Sequence, residues 1–327
     1  MRKSQKNKDS KYLILELLKS QQHYISGEDL AQRLKITRQA LWKHIAQLEK
    51  HGYEILAVPH RGYQLISIPD KLYPWEIQYK LNTQFIGKEI HHHEVVNSTQ
   101  DILWELGLEN FPEGTIVVSE KQRKGRGRLK RYWISGQGGI YSSLLLKPHF
   151  MSLTQVPQIA LLVSLGCIYG IKKATNAKCV LKWPNDILLN GKKLGGILCE
   201  VNAEADRINF VIVGIGINVN TQKRYFPSGA TSLVLETARK TQRAELLKKI
   251  LEETENLYLL LEKKGFSPIR TQWEKLCSLW GSRIKVKVFT KEIEGQAIGI
   301  DEAGCLILKK DAGGVETISA GDVVKLE

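Results

Sequence analysis

The sequence predicts an α+β chain in three parts: a small helical head closed by a β-hairpin, a larger mixed α/β centre, and a β-only tail. Three observations predict it. Over the first ~65 residues, a span that can fold alone, apolar residues recur three times at helical spacing and then alternate as in strands. The middle of the chain interleaves β-rich runs with long helical patterns, as layered α/β and α+β folds do. Past Trp280 only short strand-like runs broken by Gly-containing turns remain. The expected divisions are 1–67, 68–274 and 275–327, and 327 residues suffice for three parts with a substantial core.

The head can be justified element by element. "SKYLILELLKSQ" carries a helical stripe at Leu13 and Leu17, with Ile14 and Leu18 one step off. "ISGEDLAQRLKI" starts a second helix with Ser26 as N-cap and Asp29 three residues on, a capping-box spacing, and directs Leu30 and Leu34 inward. A short turn at Lys35–Ile36 leads to "ITRQALWKHIAQLEKHGY". There Thr37 is the N-cap, Leu41, Ile45 and Leu48 form the apolar face, and Gly52 is placed to end the helix. "YEILAVPHRGYQLIS" reads as two strands around a turn at Pro59–Gly62. This order resembles the winged helix-turn-helix fold of bacterial transcription factors. The resemblance implies that the third helix enters the major groove and the hairpin wing reaches a flanking backbone. Arg38, Gln39, Lys43 and Gln47 then face DNA, with His60 and Arg61 at the wing tip.

"SIPDKLYPWEI", with two prolines, reads as a linker. In the centre, "GTIVVSE", "IYSSLLLKP", "VLKWP" and "INFVIVGIGINV" read as strands. "TQDILWELGLE", "VPQIALLVSLGCIYGIKKAT" and "RAELLKKILEETENLYLLLEKKG" read as helices. "ILLNGKKLGGIL" places Asn-Gly between apolar runs, a strong hairpin signal. The tail has the size and texture of an SH3-like β-barrel.

Composition bounds the function. The formal net charge of +14 admits a polyanionic partner, and 43% hydrophobic with 25% charged residues is a globular balance. Cys167, Cys179, Cys199, Cys277 and Cys305 form no C-x-x-C pair and read as free thiols in a reducing compartment. The basic N-terminus is not followed by a signal-type apolar region, and no apolar run reads as membrane-spanning, so a cytoplasmic protein without a membrane partner is expected. P-loop, zinc-protease and α/β-hydrolase motifs are missing from the sequence, and "GRGRLK" and "GIGINV" each lack the third glycine of a dinucleotide fingerprint. His91, His92 and His93 alternate faces if they lie in a strand, so they do not converge on one ion. They are expected to form an exposed polar segment, and no metal ligand set is assigned.

The stretch "KGRGRLKRYW", Lys124 to Trp133, admits two readings by itself: a basic nucleic-acid patch, or a glycine-hinged loop that closes on a small anion. Its companions decide. "NSTQD" (Asn97–Asp101), "KQRKGRGRLKRYW" (Lys121–Trp133), "KWPND" (Lys182–Asp186), "GKKLGGILCE" (Gly191–Glu200) and "GIGINV" (Gly214–Val219) occur in that order. Together they closely resemble the bifunctional biotin–protein ligases that are also biotin operon repressors, and the resemblance covers all three parts of the chain.

The resemblance implies a mixed α/β centre of the biotin/lipoate ligase type and a two-step reaction. Biotin carboxylate attacks the α-phosphate of ATP to give biotinyl-5′-AMP and pyrophosphate. A lysine of biotin carboxyl carrier protein, from acetyl-CoA carboxylase or a related biotin carboxylase, then displaces AMP. Biotin and ATP are substrates, Mg²⁺ is expected, and no tightly bound prosthetic group is implied. In the family's pattern Ser98, Thr99, Gln100, Gln122, Arg126, Gly127, Arg128, Lys193 and Gly196 bind biotin. Gln100 stands where the family often has Asn. Arg126, Arg128, Trp133, Lys182 and Asn218 bind the nucleotide, and Lys193, Arg128, Lys182 and Asp186 carry the chemistry. The physics suits these roles: guanidinium forks meet carboxylate and phosphate, a Trp face meets adenine, and glycines let backbone approach a ligand. Operator DNA and a homodimer formed with biotinyl-AMP complete the implied partners. A lipoate or octanoate ligase is the nearest alternative, and the head counts against it. A repressor that only senses a small molecule is the other, and the complete motif set counts against lost catalysis.

Overall fold

The computed structural model describes residues 10–21, 23–205, 207–288, 291–311 and 313–326. They form two compact units, one ending at Lys71 and one beginning at Leu72.

The first unit holds α1 (Ser10–Ser20), α2 (Gly27–Leu34), α3 (Arg38–Lys50), β1 (Glu54–Val58) and β2 (Gly62–Ser67). The buried stripe of α1 is Ile14, Leu15 and Leu18, so the expected stripe is rotated by one residue, with Leu13 and Leu17 on its margin. Ser26 caps α2 by accepting from the Asp29 N–H at 3.0 Å. The Asp29 carboxylate pairs with Arg33, one turn on, at 3.0 Å, so the cap is anchored from the Ser26 side. Lys35 takes a left-handed conformation (φ 55) that turns the chain into α3, whose Thr37 accepts from the Ala40 N–H. Leu41, Ile45 and Leu48 of α3 are buried as expected. The β1–β2 hairpin is antiparallel, and Ile25 and Tyr63 exchange backbone hydrogen bonds of 2.9 and 2.8 Å that pin the hairpin to the entry of α2.

In the second unit the Pro-containing segment is more than a linker: Pro74 opens a short helix, α4 (Pro74–Gln78), where its missing N–H costs nothing. Then come β3 (Ile90–Val96), α5 (Thr99–Leu108), β4 (Ile116–Gln122), β5 (Gly139–Leu146), α6 (Pro157–Thr175), β6 (Val180–Lys182), β7 (Asp186–Leu189), β8 (Lys192–Glu204) and β9 (Arg207–Asn218). These strands form one sheet in the order β3-β4-β5-β9-β8-β7-β6. It is antiparallel except for the β3–β4 pair. β5 lies inside it and is buried along its whole length. Alternate residues serve opposite faces: Val117 packs with Leu103 of α5, while Ile116 and Val118 join the larger core under α6.

The chain continues through α7 (Leu233–Thr237), α8 (Arg243–Lys264) and α9 (Ser267–Glu274). α8 lies so close to α6 that a Cβ on Gly166 would sit 2.7 Å from Thr254 Oγ1, and one on Gly170 2.6 Å from Ile250 Cγ1. Segment Leu153–Thr175 is in fact long and apolar enough to cross a membrane, contrary to the expectation from sequence, but 67% of its apolar window is buried inside the unit. It is apolar all round because it is a core helix. The tail supplies β10 (Arg283–Val288), β11 (Lys291–Ile300), β12 (Leu306–Lys309), β13 (Val315–Ile318) and β14 (Asp322–Lys325). They make a five-stranded antiparallel sheet in the order β13-β12-β11-β10-β14. Its Ile284, Val286, Ala297 and Leu306 belong to the same core as α6 and α8.

The histidine run lies on β3 and is half-buried rather than exposed. His92 Nε2 is 3.4 Å from Glu120 Oε1, and His91 stacks edge-on to Phe111. Glu120 in turn accepts from the Leu72 N–H at 2.8 Å and from Arg243 Nη2 at 2.7 Å. Burial pushes the Glu120 carboxyl upward, but the His92 bond, the Arg243 charge and the Leu72 N–H outweigh it and hold it at about 2.

Candidate functional site

A cleft of about 440 Å³ opens over β8 and β9 and is walled by the 124–133 loop, the β7–β8 hairpin and the β14 turn. The hairpin turn is Asn190–Gly191, both at positive φ (51 and 75), which suits Asn-Gly and matches the right-handed twist of the strands. It sets Lys193 Nζ 2.6 Å from Asp186. The Lys193 backbone is strapped from outside: its N–H donates to Gly229 O (2.8 Å), and its carbonyl accepts from the Thr231 N–H (2.9 Å). Lys182, half-buried on the neighbouring strand, is pulled below its ordinary pKa by burial, with Asp186 opposing that shift. Asn185 is fixed by its Nδ2 bond to Ile197 O (2.7 Å). Trp183 is buried, precedes Pro184 across a cis peptide bond and donates to Gly304 O at 3.0 Å.

The 124–133 loop is a small hairpin of its own. The Gly127 N–H donates to Arg131 O and the Trp133 N–H to Gly125 O, both at 2.8 Å. Its arginines all reach acceptors. Arg126 pairs with Glu200 (2.8 Å) and Asp101 (3.1 Å). Arg128 donates to Asn185 Oδ1 and Gly321 O, both at 3.3 Å, and burial lowers its pKa. Arg131 pairs with Asp322. The Trp133 ring lies across the paired glycines Gly196 and Gly216. A Cβ on Gly216 would stand 2.8 Å from the ring, so this strand pair must be bare for the indole to lie flat. Its Nε1 is buried and has no hydrogen-bond partner among the described residues.

At the other end of the cleft, Thr99, Gln100 and Gln122 are lining residues, and Thr99 and Gln122 are tied together. Gln122 Oε1 accepts from the Thr99 N–H (2.9 Å), and its Nε2 donates to Ser135 Oγ (2.9 Å). Gln100 covers Gly214 and donates to Leu198 O at 3.3 Å. Two expected residues do not reach the cleft wall. Ser98 is buried as the N-cap of α5, accepting from the Gln100 N–H. Asn218 is buried and donates to Thr231 O at 3.0 Å. The structure brings Thr99, Gln100, Gln122, Arg126, Gly127, Arg128, Trp133, Lys182, Asp186, Lys193 and Gly196 to one cleft.

Several participants were not foreseen. Asn185 sat inside a quoted motif and was readable there. Asp101 and Glu200 likewise close the stretches "NSTQD" and "GKKLGGILCE", though nothing local names their partner, while Gly321 and Asp322 carry no local signal: all four meet an arginine only because the fold delivers them to it.

In the first unit, Arg38, Gln39, Lys43 and Gln47 are exposed on α3. Trp42 is exposed too, at 63%, and was not foreseen. His60 stands at the hairpin turn with φ 62, and Arg61 lies 4.4 Å from the Tyr24 ring centroid, so the wing tip is braced against the head.

With that geometry in place, likeness to known proteins can be stated. The Biotin/lipoate A/B protein ligase family matches residues 93–218, an HTH domain matches 11–64, and a biotin protein ligase C-terminal domain matches 280–326. The chain is 41% identical over 305 residues to Bifunctional ligase/repressor BirA of Bacillus subtilis (strain 168), covering 92% of this chain and 93% of the relative. It is 30% identical to the protein of that name from Escherichia coli (strain K12), covering 88% of each. Among solved structures, the biotin protein ligase of Aquifex aeolicus in complex with biotin and ATP is similar, with a TM-score of 0.64 at 30% identity, covering 73% of this chain and 99% of that one. Helical head, ligase centre and β-rich tail thus match in one order along one chain, which belongs to the family of bifunctional biotin–protein ligases that double as repressors.

Proposed function

We propose that the cleft makes biotinyl-5′-AMP from biotin and ATP, passes the biotinyl group to a lysine of a biotin carboxyl carrier protein, and that the adenylate-bound protein pairs into a homodimer that holds operator DNA. The observation that carries this reading is the concentration of Arg126, Arg128, Lys182 and Lys193 beside Trp133 and its glycine floor. A carboxylate and a triphosphate repel each other, and these cations offset that repulsion where the charge develops. In the first step a biotin carboxylate oxygen bonds to the α-phosphorus and the bond to pyrophosphate breaks. Lys193 leaves Asp186 to bond the carboxylate and the α-phosphate, and Arg128 closes over them. Lys182 takes the phosphate tail. Thr99, Gln100 and Gln122 hold the ureido ring, Gly127 and Gly196 admit the ligand to the backbone, and the Trp133 face takes adenine. Ser98 and Asn218 act from behind, as the cap of α5 and the tie to the 231 loop. In the second step the amine nitrogen bonds to the anhydride carbonyl, AMP leaves, and Asp186 takes the amine proton. Mg²⁺ arriving with the nucleotide needs only one or two protein carboxylates, and Asp186 is available in that role.

On α3, Arg38, Gln39, Lys43 and Gln47 read DNA, while His60 and Arg61 hold the flanking backbone. Functional boundaries fall at 1–67, 68–274 and 275–327, with the tail acting as an SH3-like module. The protein works in the cytoplasm, where its substrates are. Two experiments test the reading. Incubation with ATP and labelled biotin should yield pyrophosphate, a labelled adenylate and then labelled carrier protein, and lipoate should yield none. Sedimentation with and without biotinyl-AMP should show dimer only with it; equal mass in both would separate ligation from pairing.

A further inference from the structure

α3 has one feature that neither its own packing nor the polar residues assigned to DNA explain. Leu41, Ile45 and Leu48 are 1%, 3% and 1% exposed and complete its inward seam. Trp42, next to that seam, is 63% exposed. A Trp side chain covers 150–250 Å² when buried, so leaving most of one in water forgoes stabilisation that a polar residue here would not miss. Its surroundings say what covers it. Arg38 and Gln39, four and three positions earlier, are its neighbours on the same flank of the helix, and Lys43, the next residue, points about 100° round the helix from it; all three are exposed. Glu49, the acidic residue on that flank, is two turns further on, past the N-terminal half of the helix that meets bases. An apolar ring bordered by a cation and an amide side chain, with a second cation on the adjoining face, fits a polyanion that carries apolar groups within its groove. Duplex DNA does: the major groove shows the thymine methyl beside hydrogen-bonding edges.

We infer that Trp42 is a direct contact to duplex DNA, packing against a thymine methyl while Arg38 and Lys43 hold neighbouring polar or phosphate groups. This rests on the DNA-binding reading of α3 and adds a residue type and a base preference to it.

The test uses the full chain with biotin and ATP, so that it makes its own adenylate. Duplexes are selected from a random pool, and binding of the enriched duplex is then measured against salt. Trp42→Ala should weaken binding about tenfold, the scale of one base-specific contact, without changing the slope of log affinity against log salt. Lys43→Ala should flatten that slope by about 0.9 if it neutralises one phosphate. Replacing thymines one at a time by uracil should weaken wild-type binding at one position and leave Trp42→Ala indifferent there. Trp42→Phe should retain most of the affinity, and unchanged unfolding midpoints would exclude a folding defect. Equal binding by Trp42→Ala and wild type overturns the inference. So does a Trp42→Ala protein whose self-association changes while its DNA binding does not, since the ring then faces a second copy. If no duplex is enriched at all, the DNA-binding reading fails before Trp42 is in question.

Discussion

The two units hold their cations differently. On α3 the side chains proposed to meet DNA stand in solvent and, among the described residues, are fixed through the helix that carries them. In the cleft every loop arginine and Lys193 already has a protein acceptor: Glu200 and Asp101 for Arg126, Asn185 and Gly321 for Arg128, Asp322 for Arg131, Asp186 for Lys193. The difference follows from what each must bind. A duplex arrives as a rigid array of charge, so a preset surface suffices, and affinity comes from released counterions. A small adenylate must be enclosed, and cations gathered to await it would repel one another without stand-in acceptors. Binding there, as proposed, is an exchange of partners, and exchange allows a loop to close without strain.

The largest effect should come from removing the central exchanging cation. Lys193→Ala should slow adenylation by about a hundredfold or more, the usual scale for one electrostatic group at a transition state. Pyrophosphate release at saturating biotin and ATP measures it. A near-normal rate would show the cleft to be as preset as α3, and the comparison would collapse.

Next is loop closure. Arg128→Gly removes two bonds that tie the loop to Asn185 and the β14 turn. Adenylate should escape roughly ten to a hundred times faster, on the scale of charge-assisted hydrogen bonds at ~1.5–3 kcal/mol. Stray biotinylation of lysines on a bystander protein reports the escape; unchanged adenylate lifetime would assign closure to Arg126 and Arg131 alone.

Arg38→Ala sharpens the other side of the comparison. Operator affinity should fall about tenfold, as for one lost base or phosphate contact. Raising salt should weaken operator binding steeply while adenylation changes little, because Arg128 and Lys182 lie half-buried in the cleft while the head's cations are exposed. Parallel salt slopes for the two activities would contradict this.

The smallest effect concerns a charge that never exchanges. Glu120 has a folded pKa of about 2 against an ordinary 4.5. A depressed carboxyl stabilises the fold fully above its unfolded value and progressively less as pH falls through the folded one. Stability should therefore drop between about pH 4.5 and 2, and Glu120→Gln should show a shallower decline over that window. Identical acid unfolding of both proteins would remove Glu120 as the source.

Much of this was legible in the sequence, because it was local. The caps at Ser26 and Thr37, the Asn190–Gly191 turn and the seam of α3 follow from residue types a few positions apart. The first helix was misjudged by one residue because Leu13, Ile14, Leu17 and Leu18 offer two equally good stripes, and tertiary packing chose between them. The core helix α6 is nearly uniform in hydropathy, so its pattern tells length but not environment. The cleft was legible as a set of motifs but not as a set of pairs. Arg131 meets an aspartate 191 positions away, and Arg243 meets Glu120 across 123. No period links such residues; only the finished fold does.

The seam between β6 and the tail has a consequence for solubility. β6 is the last strand of the large sheet, and its outer backbone is occupied: the Leu181 N–H donates to Leu276 O (2.8 Å), and the Ser278 N–H donates to Leu181 O (2.9 Å). Bare strand edges recruit other strands, including those of foreign chains. The segment leading into the tail thus works as a guard rail, denying the sheet an open flank on which to template. A chain cut before Leu276 would lose more than the acceptors Gly321 and Asp322: it would bare β6 and the indole of Trp183 together, and its failure would be precipitation before it was loss of turnover.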